Sequence, residues 1–152
     1  MSALKDDPVE SGRSLRISKL IANSPERLFE MWTDPAHIQV WWGPEGVDCP
    51  YAEVDLRPGG SYRIANRLQD GTTLWIFGKF ETVEPPVRLV YTWRTDRTVD
   101  SSERVTVQFT DQGEMTEVSI LHELIADSET MLSHGNGWQG CLDKLVAYSA
   151  LL

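Results

Sequence analysis

The groups in this chain that could do chemistry are three histidines, two cysteines and 23 carboxylate side chains, set among six tryptophans. In TEVSILHEL, alternation puts Val118, Ile120 and His122 on one face and Glu117, Ser119 and Glu123 on the other. An imidazole on an apolar face needs a hydrogen-bond partner. His122 is therefore either a satisfied core residue or a pocket group that anchors a ligand or moves a proton. His37 and His134 fall in helix or loop positions and are expected to be exposed. With no HxH or HExxH spacing, three scattered histidines give no metal site. Cys49 and Cys141 are far apart and outside any CxxC, so they read as small buried hydrophobes. No GxSxG, Ser-His-Asp or Cys-His arrangement offers a nucleophile, and no GxGxxG follows a strand. DLRPGG lacks the GxxxxGK[ST] of a phosphate loop; its Asp55 and Arg57 share a face and brace a hairpin. No catalytic residue, metal or cofactor is assigned.

The stretch DPAHIQVWWGPEGVDCPYAEVDLRPGG, residues 34–60, sets two adjacent tryptophans between rigid turns. Neighbouring residues at a helix end point about 100° apart, so both rings do not face one pocket. One plugs the core where Gly43-Pro44 stops the helix, and Trp42 stands at the mouth of a cavity.

Elements that would position these residues follow from period and punctuation. Residues 15–21 read as a strand. Ser24-Pro25-Glu26 starts a helix running to about Thr33, and Asp34-Pro35 starts another that stops at Gly43-Pro44. From Tyr51 the period changes to two. Strands are expected at 51–56, 61–68, 73–83, 87–94, 103–110 and 115–123, with a polar loop over 95–102. Val87, Leu89, Tyr91 and Trp93 would share one face, as would Val105, Val107 and Phe109. Gly78 interrupts its strand: a bulge there would turn Trp75 and Phe77 inward, and without it both rings decorate the outer face as a candidate homodimer patch. Trp138, Leu142, Leu145, Ser149 and Leu152 recur at helical spacing, with Gly135, Gly137 and Gly140 near the start of that helix. These glycines suit close backbone approach or a kink.

The fold class is α+β: a curved antiparallel sheet of about seven strands wrapped on a long C-terminal helix, with two short helices after the first strand. At 152 residues the chain suits one domain, burying roughly 70% of its unfolded surface. Residues 1–12 are polar and aperiodic and read as a flexible tail before a domain over 13–152. A net charge of −9 without a basic cluster argues against nucleic acid and against anionic membrane surfaces. No apolar run is long enough for a membrane span and no signal pattern opens the chain, so the expected compartment is the cytoplasm.

TDPAHIQVWWGPEG, DLRPGGSYR, the DG at 70–71, the single Gly78, EPPVRLVYTW and GWQGCLDKL occur in that order. In this the chain resembles the START-like helix-grip superfamily. More narrowly, it resembles bacterial single-domain proteins related to the C-terminal domain of the activator of heat-shock protein 90 ATPase. The resemblance spans about residues 13–152 and implies a sheet gripping the C-terminal helix over an apolar cavity. It implies no single activity, because relatives include lipid carriers, co-chaperone domains and polyketide cyclases. The expected function is non-catalytic binding or carriage of a small apolar or aromatic ligand. The alternatives are a co-chaperone-like partner of heat-shock protein 90 and a cavity enzyme of the cyclase type. Tyr91, Trp93, Val107 and Phe109 are the expected wall from the middle strands. Ile120 and His122 come from the last strand, Trp138 and Leu142 from the long helix, and Trp42 from the mouth.

Overall fold

The computed structural model describes residues 13–98 and 102–152. The tail expected over 1–12 lies outside the described residues. The chain runs β1 (Arg13–Ile21), α1 (Pro25–Thr33), α2 (Pro35–Trp41), β2 (Asp48–Val54), β3 (Ser61–Arg67), β4 (Thr73–Glu84), β5 (Arg88–Thr95), β6 (Glu103–Asp111), β7 (Thr116–Ile125) and α3 (Ser128–Ser149). All seven strands form one antiparallel sheet in the order β1-β7-β6-β5-β4-β3-β2, so only β1 pairs out of sequence, with β7. None of the described helices is long and apolar enough to cross a membrane.

The helix corner forms for the reasons its sequence suggests. The Ser24 side chain accepts from the Arg27 backbone N–H at 3.2 Å, with Pro25 in the first turn. Asp34 ends α1 and caps α2, accepting from Ala36 N–H at 2.9 Å. This corner closes one end of the sheet: Phe29 meets Phe109 edge-on at 5.5 Å, and Trp32 lies 6.0 Å from the same ring.

Several boundaries differ from expectation, each for a local reason. The long helix starts at Ser128, earlier than its glycines suggest, because Asp127 caps it by accepting from Thr130 N–H at 2.7 Å. It ends at Ser149, which leaves Leu152 exposed beyond the helix instead of on its buried face. Val87 sits in the turn before β5 and is exposed, whereas Leu89, Tyr91 and Trp93 are buried as a set. Thr95 belongs to β5 and only part of the expected 95–102 loop is described.

Gly78 carries no bulge. The register of β4 against β5 slips three residues later, between Phe80 and Thr82, so Trp75 and Phe77 stay on the outer face. Gly78 marks a close backbone approach instead, since a Cβ there would fall 2.1 Å from the Thr92 carbonyl oxygen. Near the end of β7, Leu124 has a φ of 65° and the pairing with β1 shifts between Arg13 and Leu15. The irregularity reverses the alternation, exposing Leu124 and turning Ile125 into the core after Val118, Ile120 and His122.

Candidate functional site

Alternation and helical spacing bring a set of polar side chains to the inner side of the sheet beneath α3. Glu103 opens β6 in phase with Val105, Val107 and Phe109, and all four are buried. His122 is fully buried on β7. His134 precedes Trp138 by one turn of α3 and so shares its face. The three converge. Glu103 Oε1 lies 2.7 Å from His122 Nε2 and 2.9 Å from His134 Nε2, and the imidazole rings stack at 4.3 Å.

Proton positions follow from the partners. The indole N–H of Trp138 donates to His122 Nδ1 at 3.0 Å. An indole nitrogen only donates, so Nδ1 bears the lone pair and Nε2–H donates to Glu103. Burial would push the Glu103 carboxyl up, but the hydrogen bonds from His122 and His134 outweigh it and hold the group down at about 2. Burial lowers the pKa of His122, only partly offset by Glu103, so its ring stays neutral. An ionised carboxylate only accepts, so His134 also donates through Nε2–H, which leaves Nδ1 as its basic nitrogen.

This corrects the expectation of scattered, exposed outer histidines. His134 is half-buried in the cluster, and His37 meets the Tyr148 hydroxyl at 2.6 Å. Among the described residues two sets of potential metal donors result, each with its donor atoms within 4.8 Å: Glu103 with His122 and His134, and Glu30 with Asp34 and His37. A metal-bound imidazole usually donates its other N–H to an acceptor, whereas His122 receives a proton donor there. Holding a cation would require it to break with Trp138 or lose a second proton. In the other set, Asp34 already caps α2 and His37 already binds Tyr148.

Beside the cluster opens a cavity of about 420 Å³ between α3 and strands β3 to β5. Trp42, Trp93 and Trp138 form its aromatic walls, Leu68, Leu74 and Ile76 its aliphatic floor, and Asn66, Thr95, Ser133, His134 and Asn136 its polar surface. Two of the lining residues each bury a polar atom that has no hydrogen-bond partner among the described residues: Asn66 Oδ1 and Trp93 Nε1. Their residues are only 7% and 8% exposed. Two other buried indoles differ, for Trp32 N–H donates to the Tyr91 hydroxyl at 3.3 Å and Trp41 N–H to the Met31 carbonyl at 2.8 Å.

The expected wall residues divide between this cavity and the core. Trp42, Trp93 and Trp138 line the cavity. Tyr91, together with Trp42, borders a separate gap of only about 20 Å³. Val107, Phe109, Ile120 and Leu142 are close-packed in the core and border neither space, and His122 reaches the cavity only through its neighbours. Trp41 is the core plug, 5.4 Å from Trp42 and 5.0 Å from Trp32. Cys49 and Cys141 are buried free thiols, which burial pushes up to about 11 and 12 respectively. Three residues were missed: Glu103, Asn66 and His134. The phase of β6, the phase of Tyr62, Ile64 and Asn66 along β3, and a helix begun at Asp127 would each have pointed inward.

Comparison with known proteins agrees with this architecture. No curated protein sequence matches the chain. Among solved structures, a protein from Chromobacterium violaceum has 26% identity and a TM-score of 0.80, covering 90% of this chain and 96% of that one. An AHSA1 protein from Silicibacter pomeroyi has 28% identity and a TM-score of 0.80, covering 91% and 99%. An HSP90 activator from Plasmodium falciparum has 25% identity and a TM-score of 0.70, covering 88% and 94%. The family model for activator of Hsp90 ATPase homolog 1-like proteins matches residues 22–150, and the chain belongs to that family.

Proposed function

We propose that the chain binds a small, flat, apolar or aromatic molecule in the cavity walled by Trp42, Trp93 and Trp138. The observation that carries this reading is the cavity itself, walled by three tryptophans and floored by Leu68, Leu74 and Ile76. A volume of about 420 Å³ falls in the roughly 300–1,000 Å³ range of small-molecule sites. Aromatic walls supply area and stacking, and a few polar groups supply orientation. The test is a panel of fatty acids, isoprenoids and flat polyphenols, read by tryptophan fluorescence and calorimetry. At least one compound is expected to bind in the micromolar range and quench the fluorescence. Silence across the panel would count against the reading.

A protein partner is the second reading, favoured by the similarity to an HSP90 activator. Stimulation of a purified heat-shock protein 90 ATPase would support it, and an unchanged rate would remove it. Self-association is proposed for the outer sheet face, where Trp75 and Phe77 point away from α3 and the Arg63 guanidinium lies 4.7 Å over the Trp75 ring. Light scattering of the Trp75→Glu, Phe77→Glu double variant tests it, since a wild-type dimer untouched by both charges would rule that face out.

A further inference from the structure

We propose that the cavity between α3 and strands β3 to β5 selects uncharged ligands, such as alcohols, phenols or ketones, over the carboxylate of the same skeleton. This rests on the binding reading above and names the chemical class that the site takes. Of the panel already given, the fatty acids are therefore expected to bind most weakly.

The lining is polar without being charged. Asn66, Thr95, Ser133, His134 and Asn136 are its polar members, and no Lys, Arg, Asp or Glu is among the described residues that line it. Cys141 lines it too, and burial keeps that thiol neutral by pushing it up to about 12. Amides and hydroxyls can hydrogen-bond a ligand hydroxyl or carbonyl. A carboxylate brought to the same place loses water and meets no counter-charge.

A negative charge stands directly behind two of the lining residues. Glu103 faces Trp93 across the pairing of β5 with β6, and its Oε1 lies 2.9 Å from His134 Nε2. The carboxylate accepts from the imidazole N–H groups of His134 and His122, which stabilise its charge without cancelling it. Its side chain is only 7% exposed, so its field reaches the cavity with little screening. Lys144 also approaches, with Nζ 3.1 Å from the carbonyl of the lining residue Val47. That cation is more exposed than Glu103 and is screened more by water. The balance repels an anion and leaves a neutral ligand unaffected.

The experiment is calorimetric titration of two matched pairs at about pH 8, above the ordinary imidazole range. One pair is 2-naphthalenemethanol and 2-naphthoate, the other octanol and octanoate. Each alcohol is expected to bind about tenfold or more tightly than its carboxylate, the order of a like-charge repulsion at an effective dielectric of about 20. Any apolar cavity disfavours a charge, so Glu103→Gln separates the field of the carboxylate from burial alone. Gln keeps an oxygen for both imidazoles but carries no charge, and the affinity ratio should fall by about threefold or more. If that variant does not fold, Asn136→Lys takes its place with the same expectation, adding a cation at an exposed lining position. Carboxylates that bind as tightly as their alcohols, or a ratio unchanged by the substitution, would overturn the inference and leave the binding reading standing. Absence of binding by all four compounds would remove the two together.

Discussion

Neutral His122 and ionised Glu103 are held together by one hydrogen-bond chain, and each makes stability depend on pH. On unfolding, His122 regains its ordinary affinity for protons, near 6.5, which burial denies it in the fold. Below that value the unfolded state binds more protons, so stability falls as pH falls. Glu103 extends the loss, because its carboxyl titrates near 4.5 when unfolded and at about 2 when folded. Its contribution, on the order of 3 kcal/mol, is complete above 4.5 and disappears as pH drops towards 2. The urea midpoint should therefore decline from pH 7 to 5 and more steeply below, and a flat profile would mean the cluster is not built this way. A second prediction separates two indoles. Trp138→Phe leaves His122 Nδ1 without its donor, whereas Trp93→Phe removes an N–H that has no partner among the described residues. Both lose ring volume, but Trp138→Phe should lose about 1–3 kcal/mol more in denaturant unfolding. His122 was legible from alternation. Its partners were less so, because their joining depends on long-range pairing that no local pattern states: Glu103 is 19 residues away and Trp138 is 16.

At the level of elements, the glycines of α3 separate packing from propensity. A Cβ on Gly140 would fall 2.7 Å from Pro44 Cβ and 3.0 Å from its Cα, whereas nothing lies within 4 Å of one on Gly137. Gly137→Ala should stabilise by up to about 1 kcal/mol through helix propensity. Gly140→Ala gains the same term but meets overpacking of about 1–3 kcal/mol, so its net effect should be destabilising. Opposite shifts of the urea midpoint would confirm that the Trp42-Gly43-Pro44 corner rests on the helix at Gly140. Leu142 lies fully buried beneath the same helix, and Leu142→Ala should cost about 2–5 kcal/mol. A loss under about 0.5 kcal/mol would mean that α3 is not gripped. The helix corner was readable almost to the residue because Ser24-Pro25 and Asp34-Pro35 are strong local start signals. The start of α3 was not, since three glycines obscured a helix whose Asp127 cap lies eight residues before the first of them.

For the molecule as a whole, the sheet and α3 enclose an interior that is packed at one end and hollow at the other. Five of the six tryptophans are buried in it, with Trp32 stacked on Trp138 at 6.0 Å and Trp42 edge-on to Trp138 at 5.6 Å. The end under α1 is plugged by Trp41 and its neighbours, leaving only the gap of about 20 Å³. The end between β3 to β5 and the middle of α3 keeps the cavity of about 420 Å³. A larger hollow of about 690 Å³ lies on the outer sheet face, but Arg63, Lys79, Glu53 and Glu81 line it and make it a solvated groove. The strand alternation predicted an aromatic interior, yet volume is a difference between a scaffold and its filling, and spacing alone does not say which rings leave room. Gly137 supplies the means to ask. It lines the cavity, and a side chain grown from it enters open space. The most direct measurement is calorimetric titration of wild type and Gly137→Leu with the tightest-binding member of the fatty-acid, isoprenoid and polyphenol panel. Binding by wild type and its loss in the folded Gly137→Leu variant is the predicted result. Equal heats from both proteins, or none from wild type, would contradict the assignment of this cavity as the ligand site.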